Sequence, residues 1–422
     1  MPKILQKLGK LRTNENVMIA IDVLYNSKSS FVGIFLMSFM IGISIKNSLV
    51  GYLSYEASAY AFCGILCILL ADIIRSHPVG AWRASMLFSI ARVAAIVTID
   101  PNFPLFPLII GLLSGIESQL YWRPKEFLEV KEVSNAQRVR FSSLKLILNE
   151  ITKIVMPFVL GLVISDSGYR QAANIILVIS IVQVLLSILF RPTRKIRLEP
   201  RPISDALKFA VNHKPVRRVL WLQTLRGMAM TGCAYEIVSQ LNVYSSSNSD
   251  IALGGYQSAA SIVAIILLLV YRRIKSPTKR GLLVYTFLPP AILLPIAAIF
   301  YPGNFLIAII LFIYLRSVIH VLYSSTMFGV YIQNVMKKSV HDDAYRIEIE
   351  ILSELWLCLG RVLSIIPLLV FAYIDRQDLM MPLVAVLSFA IPFVLFIIRK
   401  SEALPTLDKP SLQHGSAPTR RR

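Results

Sequence analysis

Residues Tyr345–Asp375 read YRIEIEILSELWLCLGRVLSIIPLLVFAYID, a stretch apolar and long enough to cross a bilayer that still carries Glu350, Glu354 and Arg361. At 100° per residue these three charges fall within about 40° of arc, on one stripe of a helix. From Glu354 to Arg361 the rise is roughly 10 Å, about a third of the hydrocarbon thickness. An ionisable group at that depth is costly unless it faces a partner or water. The stripe therefore predicts an interior, built by other helices, into which this one turns its charges.

The rest of the chain agrees with a membrane setting. Of its 422 residues, 55% are hydrophobic and only 16% charged, and the mean hydropathy is +0.64. Soluble domains sit nearer 45–50% apolar. The net charge of +20 would suggest nucleic acid in a soluble protein. Here basic loops on the cytoplasmic side explain it, and no nucleic-acid partner is expected. The four cysteines, Cys63, Cys67, Cys233 and Cys358, all lie in apolar runs. Cys63 and Cys67 are a helical turn apart, but no His or acid accompanies them at ligand spacing. They read as buried apolar thiols. With neither a phosphate-binding GxxxxGK[ST] nor an HExxH in the chain, no cofactor, no metal and no enzymatic activity are expected.

Twelve apolar spans can be drawn, near 29–48, 54–74, 83–99, 104–122, 143–165, 171–190, 219–241, 253–271, 281–300, 304–324, 350–373 and 380–398. With the N-terminus inside, 36 of the 44 Lys and Arg fall in cytoplasmic segments and 3 in outer loops. That asymmetry predicts both termini in the cytoplasm of a multi-pass protein of the cytoplasmic membrane. The longest polar break divides the chain into a basic, partly amphipathic lead-in at the interface (1–28), a six-helix bundle (29–190), a cytoplasmic linker (191–218), a second six-helix bundle (219–398) and a disordered basic tail (399–422). Within the linker, Ile203–Val211 predicts a short amphipathic helix.

Two passages echo each other across this division. LADIIRSHPVGAWRASML joins spans 2 and 3, and LLVYRRIKSPTKRGLLV joins spans 8 and 9. In the first of them Asp72, Arg75, Gly80 and Arg83 follow, with stretched spacing, the Gly…Asp-Arg…Gly-Arg-Arg pattern of the major facilitator superfamily. On these residues and on the six-plus-six plan, nearly the whole chain resembles that superfamily. EILSELWLCLGRVLSI is similar to span 11 of its uncharacterised bacterial members. The Gly-Pro-rich fifth span of the family's drug exporters is reduced to Met156-Pro157…Gly161. The resemblance implies an all-α fold of twelve transmembrane helices in two pseudo-symmetric bundles around a central cavity, which opens to alternate sides by rocking.

The ionisable residues inside spans are the sharpest chemical feature. Arg92, Glu117, Glu236, Arg316, Glu354 and Arg361 are the candidates for a substrate or proton cavity. A buried Glu can take up and release a proton, and an Arg can hold an anionic group. Arg361 needs an acidic partner from another span, and Glu117 and Glu236 are the first candidates. Glu354 lies nearer the cytoplasmic end, within reach of loop arginines. Glu150 and Lys153 can pair on the surface of their own helix. Asp72, Arg75 and Arg83 would form the cytoplasmic gate that the family pattern implies. The function these residues predict is secondary active transport of a small solute, coupled to protons, by a monomer in the lipid bilayer. The alternative is a polytopic membrane enzyme or flippase acting on lipid-linked groups.

Overall fold

The computed structural model describes residues 13–43, 48–192, 203–229, 249–274, 288–300 and 343–388, with isolated positions beyond them. Among the described residues every regular element is helical. The first-half helices are α1 (Thr13–Ser30), α2 (Leu36–Ile43), α3 (Ser48–Leu69), α4 (Ala71–Ser76), α5 (Pro78–Thr98), α6 (Phe106–Glu132), α7 (Asn135–Ser167) and α8 (Tyr169–Leu189). The second half shows α9 (Ile203–Asn212), α10 (Lys214–Ala229), α11 (Asp250–Arg273), α12 (Leu288–Phe300), α13 (Asp343–Tyr373) and α14 (Met380–Ser388). Seven of the described segments are long and apolar enough to cross a membrane. The parts of spans 7, 9, 10 and 12 beyond these helices, the linker from 193 to 202 and the tail 399–422 lie outside the described residues.

The packing is inverted relative to a water-soluble bundle. On α7, Ile147, Ile151, Val155, Phe158 and Leu162 recur at helical spacing and are all exposed. On α8, Val178, Ile181, Val182, Leu185 and Leu189 repeat the pattern. Meanwhile Lys28, Arg75, Arg92, Glu117 and Lys125 are buried. An apolar outer surface with charges turned inward is stable in lipid and not in water. The protein is a multi-pass membrane protein.

From Thr13 onward, the stretch drawn as the lead-in over 1–28 is helical and packed against its neighbours. α1 runs into a π-turn at Phe31–Phe35 and then into α2, and the candidate span is Thr13–Ile41. Glu15, Asp22 and Lys28 are buried against α7, α8 and other first-half helices. The charges made this segment look peripheral, yet each faces the interior, where partners await it. The short helix expected in the linker is present as α9, which packs its buried Ala206 and Ala210 against α10 and α13.

Among the described residues, two long seams join the halves. α3 packs along α13, and α7 packs along α11. Within the second half, α13 crosses α10 at Gly360 and Gly227, where a Cβ on Gly360 would lie 2.1 Å from the Thr224 carbonyl oxygen. Only the absence of side chains allows so close a crossing. α13 has 31 residues, roughly 46 Å at 1.5 Å per residue, so it is longer than the hydrocarbon layer.

Candidate functional site

Glu350, Glu354 and Arg361 of α13 all face first-half helices. Arg123 of α6 donates from Nη2 to Glu354 Oε2 at 3.0 Å and to the Glu350 carbonyl at 3.2 Å. Its Nη1 pairs with Glu126 at 3.1 Å. Burial alone would lower the Arg123 guanidinium, but Glu126 and Glu354 hold it above its ordinary value, so it stays charged. Farther along the helix, the Arg361 guanidinium lies 4.8 Å from the centre of the Tyr60 ring on α3. One helical turn before Tyr60 on α3 stands Glu56, whose carboxylate accepts a 3.0 Å hydrogen bond from Tyr52 Oη. Arg226 of α10 donates to Gln223 at 3.3 Å.

A second ion pair closes the same end of the seam. Arg75 of α4 pairs with Glu348 of α13, and both side chains are 2% exposed. Asp72 reaches Arg75 at 3.2 Å from an exposed position. Arg83 is not part of this cluster. It donates to the Ser187 and Phe190 carbonyls at 3.2 and 2.8 Å, and so caps the open carbonyl end of α8. Asp72 and Arg75 are therefore brought together at a seam, and Arg83 is placed elsewhere.

Glu117 and Arg92 are brought together, but within the first half. Arg92 Nη2 lies 2.9 Å from Glu117 Oε2, and Lys28 Nζ lies 3.3 Å from Glu117 Oε1. Ser114 accepts from Arg92 at 2.9 Å, and Ser89 from Lys28 at 2.5 Å. Glu117 is thus held by two cations, neither of them Arg361, so the expected Glu117–Arg361 partnership is not formed. Glu236 and Arg316 lie outside the described residues. Glu150 and Lys153 pair at 2.7 Å on their own helix.

Several buried groups have no clear mark in the sequence. Lys28 and Lys125 lie in segments whose charge count points to the cytoplasm, yet each is buried on a carboxylate, Lys28 on Glu117 and Lys125 on Asp22. Asp22 also accepts from Tyr121 at 3.0 Å and Asn149 at 2.7 Å. Tyr121 is therefore an interior hydrogen-bond donor. The signal for Asp22 and Glu56 was present, since each is a lone acid in an apolar run. For Glu348 there was none, because it sits where charge is cheap. Cys63 likewise has company that spacing did not show. Its thiol, the Cys358 thiol and a Glu354 carboxylate oxygen lie within 4.8 Å of one another.

No protein-family model and no curated protein matches the chain. Its fold nevertheless matches solved transporters. A bacterial homologue of the iron transporter ferroportin, inward-facing, superimposes with a TM-score of 0.65 at 13% identity, over 93% of this chain and 99% of that one. The nucleoside transporter NupG gives 0.61 at 13% identity, over 91% and 99%. A POT family transporter in complex with 5-aminolevulinic acid gives 0.61 at 10% identity, over 92% and 96%. A chain with this helical inventory, this inverted packing and these matches along nearly its full length has the fold of these membrane transporters.

Proposed function

We propose that the protein is a secondary active transporter that carries a small polar solute across the cytoplasmic membrane by alternating access, coupled to protons. In this reading the chain is two six-helix bundles, 29–190 and 219–398, joined by the linker 191–218, with both termini cytoplasmic and the monomer as the working unit. The α1 segment from Thr13 extends the first bundle. The observation that carries the proposal is the polar seam between α3, α4 and α6 on one side and α13 on the other. Its ion pairs, Arg75–Glu348 and Arg123–Glu354, cluster toward one end of α13. Ion pairs exchange partners or water at lower cost than an interlocked apolar core, so a seam of this kind suits an end that opens and closes.

Arg361, Arg226 and Glu56 supply the chemistry next to that seam. A guanidinium pair recognises a carboxylate or another anionic group on a solute. Glu56, one helical turn from the Tyr60 ring that Arg361 covers, is the group that exchanges a proton when the solute arrives. The solutes named for the structural neighbours, a nucleoside, iron and 5-aminolevulinic acid, are all small and polar, which supports the same class here. Arg92 and Glu117 act in this reading as the brace of the first bundle, and Glu236 and Arg316 remain cavity candidates in the second.

The test is uptake by proteoliposomes across a panel of nucleosides, amino-acid-like zwitterions, organic anions and metal ions, with and without an imposed pH gradient. The expected result is gradient-dependent accumulation of one class, lost in Arg361→Ala. Glu56→Gln should retain solute exchange but lose the response to the gradient. Unchanged rates in both variants would remove the assigned roles, and no gradient dependence for a transported solute would remove proton coupling.

A further inference from the structure

We propose that Cys63, Cys358 and Glu354 form a site for a thiophilic divalent cation, Zn2+ in the first instance, that fastens α3 to α13. The site does not depend on what the chain transports. Cys63 stands on α3, and Glu354 and Cys358 stand one turn apart on the facing stripe of α13. Their three ligand atoms lie within 4.8 Å of one another, with Cys63 4% and Cys358 1% exposed. Two thiolates around a tetrahedral zinc stand about 3.8 Å apart, given a Zn–S bond near 2.3 Å, so closure needs only small shifts.

The surroundings fit a bound cation. Glu354 gives its Oε2 to Arg123 at 3.0 Å, which orients the carboxylate and leaves Oε1 on the Cys358 thiol at 3.8 Å. Metal-binding carboxylates are commonly held in this way. Gln119, 3% exposed, places its amide 2.8 Å from Cys63 Sγ, while its Oε1 has no hydrogen-bond partner. Rotating that amide by 180° brings the oxygen onto the cysteine and supplies a fourth donor. Two sulfurs and two oxygens at one point favour zinc over magnesium or calcium, which take oxygen alone. On binding, each thiol loses its proton to solvent, so two protons leave per ion. The resulting charge of two thiolates and one carboxylate is offset by the dication and by Arg123.

The test uses the full-length reduced chain in detergent, stripped with chelator. Titration with Co2+ should raise a thiolate-to-cobalt charge-transfer band that saturates at one equivalent and is bleached by Zn2+. Cys63→Ser and Cys358→Ser should each abolish the band. Cys67→Ser should keep it, because that thiol donates to the carbonyls of Gly64 and Ile351 at 3.0 and 3.7 Å. Glu354→Gln should weaken Co2+ binding about tenfold or more. Zn2+ should raise the unfolding midpoint of the wild type and of Cys67→Ser, and leave that of the other two cysteine variants unmoved. A wild-type chain that shows no thiolate band overturns the proposal without recourse to any variant. So does a band of wild-type strength in Cys63→Ser and Cys358→Ser, which would place the metal elsewhere.

Discussion

Glu117 is held by Arg92 and Lys28, with its side chain 2% exposed. Removing the negative charge from such a site leaves two cations buried together. Glu117→Gln should therefore cost about 3–5 kcal/mol of stability, as for other broken buried pairs. Lys28→Met should cost less, because Arg92 still pairs with Glu117. Unfolding in mixed micelles would measure both, and an equal or larger loss for Lys28→Met would overturn this ordering. Depth in the membrane was enough to single out Arg92 and Glu117 from the sequence. Lys28 was not legible, because its position at the edge of an apolar run is equally that of an interfacial anchor.

Helix crossings depend on atoms the sequence does not display. At the α10–α13 crossing, a methyl on Gly360 would meet the Thr224 carbonyl at 2.1 Å, and at the α7–α11 crossing one on Gly254 would meet the Pro157 carbonyl at 2.3 Å. Backbone cannot rotate away as a side chain does, so Gly360→Ala should cost about 1–3 kcal/mol or more. A lowered midpoint in detergent, with the helical content intact, is the expected result. The Arg75–Glu348 pair works at the same scale, because it ties α4 to α13 above the buried thiol of Cys67. Glu348→Ala should raise the rate at which a maleimide modifies Cys67, read by mass spectrometry of the Cys67 peptide. A rate equal to wild type would mean that the pair does not hold that end shut. Arg75 stands out in the sequence through the family pattern. That its partner is Glu348 was not, since the two lie 273 residues apart.

For the whole molecule the charge asymmetry makes a topological prediction. With 36 basic residues in segments assigned to the inside and 3 outside, an epitope placed after Arg422 should be reached by antibody only in permeabilised cells. Staining of intact cells would reverse the assigned orientation. The burial of Lys28, Arg75 and Lys125 removes three residues from the loop count, yet the asymmetry among the remainder still points the same way.

Residue order alone sets the membrane class, the helical architecture and the charged interior stripe on α13. These follow from partitioning between water and lipid, which adds up residue by residue and needs no knowledge of neighbours. The partnerships emerge only once the helices pack: Glu117 with Arg92 and Lys28, Asp22 with Lys125, Arg75 with Glu348, and Cys63 with Cys358 and Glu354. A partnership depends on how each helix is rotated and where it crosses the next. Those angles are set by the close packing of side chains from segments far apart in the chain, and no local pattern encodes them.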